Sequence, residues 1–157
     1  MSPRRDLLDD PNAPKANSLV PAASAVVVDD AGRILLHKRT DNEYWSIPGG
    51  AMTPGESIAE TVVREVREET GIEAQVEKIL GVYSNPRHVS VYDDGEVRQQ
   101  FSVCFLCRAA GGEPRTSDES SEVRFVDLAE TEALSIHPSI RLRIQHYAES
   151  RPEPYIG

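Results

Sequence analysis

Short runs of apolar residues, separated by polar turn-forming residues, cover most of the chain and predict β-strands. The clearest turns are Asp29-Asp30-Ala31-Gly32 and Asp93-Asp94-Gly95, each lying between two apolar runs as in a hairpin. A turn-rich connection is expected at residues 109–115, where small and turn-forming residues follow an apolar run. The strands predicted in this way are residues 24–28, 33–38, 74–83, 91–92, 97–107 and 123–126.

Two longer segments have the three-to-four-residue apolar recurrence of an amphipathic helix. The first is residues 57–70, preceded by the turn signal Pro54-Gly55 and followed by Gly71, a helix stop signal. The second is residues 138–147, and a short helical segment is expected at 128–134. In the second helix, the periodicity places Ile140, Ile144 and Tyr147 toward the core and Arg141, Arg143 and Gln145 outside.

The first helix carries a cluster of glutamates that points to metal chemistry. Glu65, Glu68 and Glu69 stand at positions i, i+3 and i+4 and therefore share one helix face. Like charges at this spacing destabilise a helix by roughly 0.2–0.5 kcal/mol per pair. A bound cation would remove the repulsion, and Mg²⁺ favours a site with few carboxylates plus substrate phosphates. The alternative is a solvated Glu/Arg-rich helix face, in which Arg64 pairs with Glu60 and Glu68.

The residues around the helix turn this pattern into a motif. The stretch 50–72 reads GAMTPGESIAETVVREVREETGI, with glycine, glutamate, arginine and apolar residues at fixed spacing. It resembles the signature of the Nudix hydrolases at every defining position, namely Gly50, Glu56, Arg64, Glu65, Glu68, Glu69, Gly71 and Ile72. The resemblance implies a single α+β domain, an α/β/α sandwich around a mixed sheet. It also implies hydrolysis of nucleoside diphosphates linked to another moiety, with Mg²⁺ or Mn²⁺ as cofactor.

The resemblance also implies roles for individual residues. Glu65, Glu68 and Glu69 would be metal ligands, and the carbonyl group of Gly50 could add another. Arg64 would orient a glutamate while Glu56 braces Arg64. The expected catalytic residues are therefore Glu65, Arg64 and Glu68, although the motif leaves open which glutamate acts as general base.

A further acidic ligand is expected from the loop SDESSEVRF, which precedes a late strand. Family members often supply a glutamate from such a loop, and Glu119 is the best counterpart. Glu122 and Asp118 are weaker alternatives. Glu119 is thus predicted to act as both a metal ligand and a catalytic residue, against the alternative that the loop is acidic only because the chain is.

Four residues outside the motif are predicted to bind substrate. Arg39 ends the strand ILLHKR, where family members often place a phosphate-contacting base, and Trp45 begins the lead-in W-x-x-P-G-G. Trp45 could equally be a core anchor. Arg98 and Gln100 would share one side of a strand and meet a ribose or phosphate, with Gln99 facing the other way. His88 is the one histidine expected near a ligand.

Length and charge limit the classes of function. The 157 residues fit one domain, predicted at 19–150 between a flexible N-terminal arm at 1–18 and a C-terminal tail at 151–157. The formal net charge of −9 disfavours binding to nucleic acid or to an anionic membrane surface. The N-terminus lacks an apolar signal region, so a cytoplasmic location is expected. The expected partner is a small-molecule nucleotide, and a homodimer is possible.

Cys104 and Cys107 form a C-x-x-C sequence, which could suggest a redox or zinc site. The surrounding sequence SVCFLCRA reads as an apolar strand, in which positions i and i+3 point to opposite faces. The chain has no further cysteines to complete a zinc site. Two reduced, buried cysteines are therefore expected.

Together these observations predict a metal-dependent pyrophosphohydrolase acting on a nucleoside diphosphate derivative, such as ADP-ribose or a nucleotide sugar. Three alternatives stay open. One is a nucleoside triphosphate pyrophosphohydrolase that clears damaged nucleotides. Another is a non-catalytic nucleotide-binding sensor, which the complete set of motif glutamates argues against. The third is a protein whose glutamate cluster binds metal only for stability.

Overall fold

A computed structural model describes residues 4–157 as two sheets, two α-helices and a short 3-10 helix at Leu128–Ala133. The helices are α1 (Ile58–Thr70) and α2 (Pro138–Ala148). The strands are β1 (Arg4–Leu8), β2 (Ser18–Leu19), β3 (Ala22–Val28), β4 (Ile34–Arg39), β5 (Trp45–Ser46), β6 (Gly49–Ala51), β7 (Ile72–Tyr83), β8 (His88–Tyr92), β9 (Val97–Gln99), β10 (Ser102–Gly112), β11 (Ser120–Val126) and β12 (Tyr155–Ile156). Within residues 4–157, neither α-helix is long and apolar enough to cross a membrane.

The large sheet is mixed and has the order β11-β4-β3-β10-β7-β12. Strand β10 runs parallel to β3 and antiparallel to β7, while β5 and β6 pair with β4 and β3 outside this path. The small sheet has the order β1-β8-β9-β2. The predicted turn at Gly95 joins β8 to β9 as an antiparallel hairpin, and Gly95 adopts a positive φ of 95°.

The two faces of the large sheet bury separate apolar clusters, each covered by one helix. On one face, Val62 and Val66 of α1 pack with Leu35 and Phe105. On the other face, Ile144 of α2 joins a cluster that includes strand residues such as Val26 and Leu36. This is the predicted α/β/α sandwich around a mixed sheet.

Local sequence explains why α1 lies at residues 58–70. The Ser57 side chain accepts a hydrogen bond from the Glu60 N–H while the Glu60 side chain accepts one from the Ser57 N–H, so the capping box satisfies two free donors. At the other end, Gly71 adopts a left-handed φ of 78° and donates its N–H to the Arg67 carbonyl. A residue with a Cβ is strained in that conformation, so glycine fixes where α1 ends.

The structure confirms the predicted faces for Cys104 and Cys107. Cys104 packs in the cluster beneath α2, whereas Cys107 packs in the cluster beneath α1. Both are buried free thiols, and burial raises the pKa of each, to about 12 for Cys107. Both thiols are therefore protonated at neutral pH, which removes the nucleophilic form needed for redox chemistry.

Other sequence predictions were wrong. Arg143, expected on the outer face of α2, is only 2% exposed. The predicted turn-rich connection at residues 109–115 is strand as far as Gly112, because β10 continues its pairing with β7. The single strand predicted at residues 97–107 is divided at Gln100 and Phe101, and its two parts lie in different sheets.

Both terminal segments take part in sheet pairing. In the segment predicted as an N-terminal arm, Arg4–Leu8 pairs antiparallel with β8, while residues 1–3 lie outside the described residues. In the predicted C-terminal tail, Tyr155–Ile156 pairs parallel with β7. The ring of Tyr155 lies 4.3 Å from that of His146, measured between centroids. The segments outside the predicted domain boundaries of 19 and 150 therefore each contain a strand that pairs with the rest of the fold.

Candidate active site

Three carboxylates from two distant parts of the chain meet beside Gly49 and Gly50. Glu65 and Glu69 lie on α1, and Glu119 lies in the loop just before β11. One carboxylate oxygen from each comes within 4.8 Å of the others. Glu69 is only 2% exposed, whereas Glu65 and Glu119 are half-buried. The arrangement concentrates negative charge at one point, where it faces little water.

Arg64 links Glu56 to Glu65 of the three-carboxylate cluster. Its guanidinium forms a bidentate pair with Glu56, with Nε–Oε2 at 3.0 Å and Nη2–Oε1 at 2.7 Å. Its Nη1 donates to Oε1 of Glu65 at 2.9 Å. The hydrogen bonds from Arg64 lower the pKa of Glu56 to about 2, so this carboxylate stays ionised and holds the guanidinium. Glu56 therefore braces Arg64, and Arg64 in turn orients Glu65.

Glu68 occupies a different position from the other two helix glutamates. Its side chain is 59% exposed and accepts one hydrogen bond from Nη1 of Arg64, at 3.2 Å. It does not belong to the three-carboxylate group of Glu65, Glu69 and Glu119. Its role as a metal ligand stays a prediction.

Glu119, the loop glutamate expected from sequence, lies beside Glu65 and Glu69, and its role as a metal ligand and catalytic residue stays a prediction. The carbonyl group of Glu119 accepts a hydrogen bond from the Thr40 N–H, which fixes the loop against the end of β4. The alternatives Asp118 and Glu122 are both exposed and do not join the cluster. Of the three acidic residues that the sequence ranked only weakly, Glu119 lies in the carboxylate cluster, whereas Asp118 and Glu122 do not.

Two glycines bring backbone close to the cluster. The Gly49 N–H donates to Oε1 of Glu69 at 2.8 Å. At Gly50, a Cβ would lie 2.5 Å from Cδ of Glu65, so any larger residue would displace that carboxylate. This close approach is the physical reason for glycine at the first position of the motif.

Burial and mutual repulsion set the protonation of the cluster. Desolvation raises the pKa of Glu69 well above its usual value, and the charge of Glu65 raises it further. Desolvation is also the main cause of the raised pKa of Glu65. Both groups lack a cationic partner sufficient to cancel this cost, which is the electrostatic state expected of carboxylates arranged for a cation.

His37 is a neighbour of this cluster that the sequence reasoning missed. It is 1% exposed, its Nδ1 lies 2.7 Å from the Ser120 hydroxyl, and its Nε2 lies 3.7 Å from Oε2 of Glu69. Burial lowers the pKa of His37 to about 4, so it is neutral at physiological pH. The available signal was the two-residue alternation of β4, which puts His37 on the same face as Leu35 beneath α1.

A cleft lies next to the cluster and shares the backbone of Gly49 and Gly50 as one wall. Its other walls come from β1, from the β8–β9 hairpin and from the start of α2. The four substrate-binding residues predicted from sequence all line this cleft, namely Arg39, Trp45, Arg98 and Gln100. Gln99 lines it as well, because β9 ends there and the strict alternation expected for residues 98–100 is not kept.

The contacts of these four residues differ. Arg39 forms a two-pronged pair with Asp41, at 2.9 and 2.8 Å. The Arg98 guanidinium pairs with Glu96 and lies 4.8 Å from the centroid of the Tyr92 ring. Trp45 is 7% exposed and belongs to the core cluster beneath α2. Most of its side chain is therefore buried in the core, as expected for a core anchor.

His88 of β8, the histidine expected near a ligand, lines the cleft together with polar residues of β1 that no sequence signal revealed. Asp6 of β1 accepts a hydrogen bond from the Ser90 hydroxyl at 2.6 Å and lies 3.7 Å from Nε2 of His88. Arg4 approaches the other Asp6 oxygen at 3.4 Å. Only the antiparallel pairing of β1 with β8 brings these groups together, so their separation along the chain concealed the cluster.

The three-carboxylate cluster fits a divalent cation. Carboxylate oxygens are the hard ligands that Mg²⁺ and Mn²⁺ prefer, and the three groups repel one another without a cation between them. Glu65, Glu69 and Glu119 would hold the metal, and the backbone of Gly50 is close enough to Glu65 to form the site's edge.

Comparison with known proteins agrees with the fold and identifies the family. The NUDIX domain model matches residues 18–147. The chain is 36% identical over 105 residues to an ADP-ribose pyrophosphatase of Methanocaldococcus jannaschii, a match that covers 65% of this chain and 59% of that protein. It is 37% identical over 105 residues to a MutT-like protein of Streptomyces ambofaciens, covering 67% of this chain and 62% of the relative. The matches thus span about three-fifths of both relatives.

A solved structure gives the same result for the fold. An ADP-ribose pyrophosphatase from Streptococcus suis superposes with a TM-score of 0.65 at 23% identity, covering 88% of this chain and 98% of that one. The chain belongs to the Nudix family, since the family model spans most of its length and the complete motif lies inside that span.

Proposed function

We propose that this protein is a divalent-metal-dependent pyrophosphohydrolase that cleaves a nucleoside diphosphate derivative of the ADP-ribose or nucleotide-sugar type. The observation that carries the proposal is the meeting of Glu65, Glu69 and Glu119 at the wall of a polar cleft. A diphosphate bridge placed at Gly49 and Gly50 would have the acidic cluster on one side and the cleft for its attached groups on the other. A cytoplasmic location, a nucleotide as the partner and a homodimer remain predictions.

A bound Mg²⁺ or Mn²⁺ would offset phosphate charge and make water a better nucleophile. Residues of the chain itself would hold the carboxylates in position and accept the proton. Arg64, held by Glu56, fixes the Glu65 carboxylate through the 2.9 Å hydrogen bond. Glu69 is fixed by the Gly49 N–H and by the burial of its own side chain. We assign Glu119, which lies on a loop rather than on α1, the role of accepting a proton from water. Its position outside α1 supports a role separate from that of the helix glutamates. Glu65 is the alternative base, and Glu68 would act through its contact with Arg64.

The cleft supports a diphosphate derivative more than a triphosphate. Its walls extend past Gly50 to β1, the β8–β9 hairpin and α2, which offers surface for a group on each side of the bridge. Arg98 and Gln100 would contact the group beyond the second phosphate. The relative from Methanocaldococcus jannaschii, described as an ADP-ribose pyrophosphatase, points in the same direction.

A substrate screen at fixed Mg²⁺ tests the proposal. ADP-ribose, nucleotide sugars, dinucleotides and nucleoside triphosphates are compared by kcat/KM, with products identified by mass. We expect a diphosphate derivative to give a nucleoside monophosphate and to be the best substrate. A triphosphate that is cleaved faster and releases pyrophosphate would favour the nucleotide-clearing alternative. Binding without any product in the presence of Mg²⁺ would favour the sensor alternative.

The same assay separates the two candidate bases. Glu119→Gln and Glu65→Gln are compared in single-turnover kinetics across pH, with Glu132→Gln, an exposed carboxylate of the 3-10 helix, as the control. The base is the residue whose replacement removes the acidic limb of the pH–rate profile. Alanine at Arg98 or Gln100 should raise KM for the diphosphate derivative more than for a triphosphate, because ground-state binding is lost.

A further inference from the structure

Arg143 is a cation that the described structure leaves without a counter-ion. It lies on α2, is 2% exposed and lines the cleft. Nη1 donates to the Ser139 carbonyl at 3.1 Å, and Nε has no hydrogen-bond partner. Among residues 4–157, the groups whose charge interactions favour its ionised form are Cys104 and Tyr83, with no carboxylate among them. The Tyr83 ring, 4.5 Å from the guanidinium carbon, compensates only part of a buried charge.

The surroundings of Arg143 make this charge more costly. The guanidinium lies near the first turn of α2, where the positive end of the helix dipole disfavours another cation. The other arginines of the cleft are paired, Arg4 with Asp6, Arg39 with Asp41 and Arg98 with Glu96. Arg143 is therefore the cleft cation that lacks an acidic partner in the part of the chain described here. A buried, unpaired charge is strongly destabilising unless an anion joins it.

The start of α2 supports an anion without supplying the hydrogen bonds itself. Its early N–H groups are already used, since the His137 ring accepts from Ser139 and the His137 carbonyl accepts from Ile140 and Arg141. The dipole contributes only a favourable field, and the unused donors are on Arg143. An arginine whose planar fork retains free donors is suited to a phosphate or carboxylate.

We propose that Arg143 binds an anionic group, phosphate or carboxylate, that the substrate carries outside its bridging pyrophosphate. The inference rests on the proposed function and narrows it: the preferred substrate is a nucleoside diphosphate derivative with an additional acidic group. A substrate without such a group would leave the guanidinium unpaired, whereas a substrate with one would pair with it. The net charge of −9 repels anionic substrates in general. The local cation Arg143 would nevertheless favour substrates that carry an additional acidic group.

Matched substrate pairs test the proposal with the full-length protein and Mg²⁺. ADP-ribose is compared with ADP-ribose 2′-phosphate, and UDP-glucose with UDP-glucuronate, so the two pairs separate phosphate from carboxylate. We expect the acidic member of at least one pair to have a kcat/KM about tenfold or more above its neutral partner, as a charge-assisted hydrogen bond gives. Arg143→Met should bring that ratio close to one. Arg143→Lys, which keeps the charge but not the fork, should retain part of it.

Arg108→Met is the matched control, because Arg108 is an exposed arginine of β10 outside the cleft. It should leave every ratio unchanged. A ratio is insensitive to a general loss of folded protein, so a purely structural role of Arg143 would lower both members equally. Equal kcat/KM values in the wild type for both pairs, or a preference that persists in Arg143→Met, would overturn the proposal. Wild-type ratios close to one for both pairs overturn the proposal even if neither variant folds.

A binding measurement decides the inference even if the proposed catalysis fails. Inorganic phosphate is titrated by calorimetry into wild type, Arg143→Lys, Arg143→Met and Arg108→Met in chelator, so that no metal contributes. We expect the wild type and Arg108→Met to bind phosphate about tenfold or more tightly than Arg143→Met. If the wild type shows no turnover but this difference in phosphate affinity is observed, the pyrophosphohydrolase proposal is refuted and the anion site stands. Equal affinities would refute the anion site whatever the turnover.

Discussion

Replacing Glu69 by glutamine should separate the cost of its charge in the metal-free protein from the use of that charge in metal binding. Glu69 is 2% exposed, and the charges of Glu65 and Glu119 oppose its ionisation. Glutamine removes this repulsion, and its carbonyl oxygen can still accept the Gly49 N–H. In chelator, we therefore expect Glu69→Gln to melt at or above the wild-type temperature.

Metal should reverse the order of the two proteins. A cation that binds only the folded state at a hundredfold excess over its Kd adds about 2.7 kcal/mol to the free energy of unfolding. In a domain of this size, 1 kcal/mol shifts Tm by roughly 2–4 °C, so saturating Mg²⁺ should raise the wild-type Tm by about 5–10 °C. The same titration should move Glu69→Gln by little, because its buried ligand is gone, and its kcat should fall near background.

Thermal melting over a Mg²⁺ series, with parallel chelator samples, measures both effects. Glu132→Gln is the control for removing one exposed carboxylate. Glu68→Gln provides the sharper comparison, since Glu68 is 59% exposed and paired with Arg64. It should keep most of the metal-induced shift. An equal shift in Glu69→Gln and wild type would refute the metal-ligand reasoning, and an equal loss in Glu68→Gln would show that its side chain joins the site when metal binds.

Three further predictions concern separate parts of the structure. Gly50→Ala should place its Cβ against the Glu65 carboxylate and lower kcat by up to roughly 10²-fold with little change in the metal-free Tm, measured by steady-state kinetics and melting; a wild-type kcat would contradict the close approach. The double variant Cys104→Ser, Cys107→Ser should keep kcat but lose about 1–3 kcal/mol of stability per buried hydroxyl in urea unfolding. A large loss of turnover at unchanged stability would reveal a role for the thiols. Burial raises the pKa of Asp6, but hydrogen bonds and the charge of Arg4 lower it by more, so the folded pKa lies below the usual value. The charge of Asp6 therefore stabilises the fold above about pH 4. This stabilisation decreases as pH falls through the folded pKa. Asp6→Asn should therefore lower stability at pH 7 and differ less from wild type below pH 4, and a pH-independent difference would show that the charge is not what stabilises.

Local sequence determined the features that depend on short periods. The capping residue Ser57, the apolar recurrence through Val62 and Val66, and the left-handed Gly71 fix α1 within one residue of its predicted bounds. The two-residue period of a strand likewise placed Cys104 and Cys107 on opposite faces before any packing was known. Such features follow from backbone geometry over a few residues, and distant contacts reinforce them without changing them.

Tertiary structure decided which of the many charged side chains meet. Glu65, Glu68 and Glu69 look equivalent on the helix, but Glu68 turns to Arg64 while Glu119 arrives from a distant loop to complete the cluster. That selection depends on β4 and β11 pairing beside α1, which no local pattern specifies.

In the cleft, tertiary structure determined even more of the arrangement than it did at the carboxylate cluster. The polar group at Asp6 exists because β1 pairs with β8, and helix periodicity alone had put Arg143 in solvent. A period of 3.6 residues gives the direction of a side chain around the helix axis, but not what covers that direction. The small sheet and the start of α2 cover it here, and so a residue expected outside became a buried cation of the cleft.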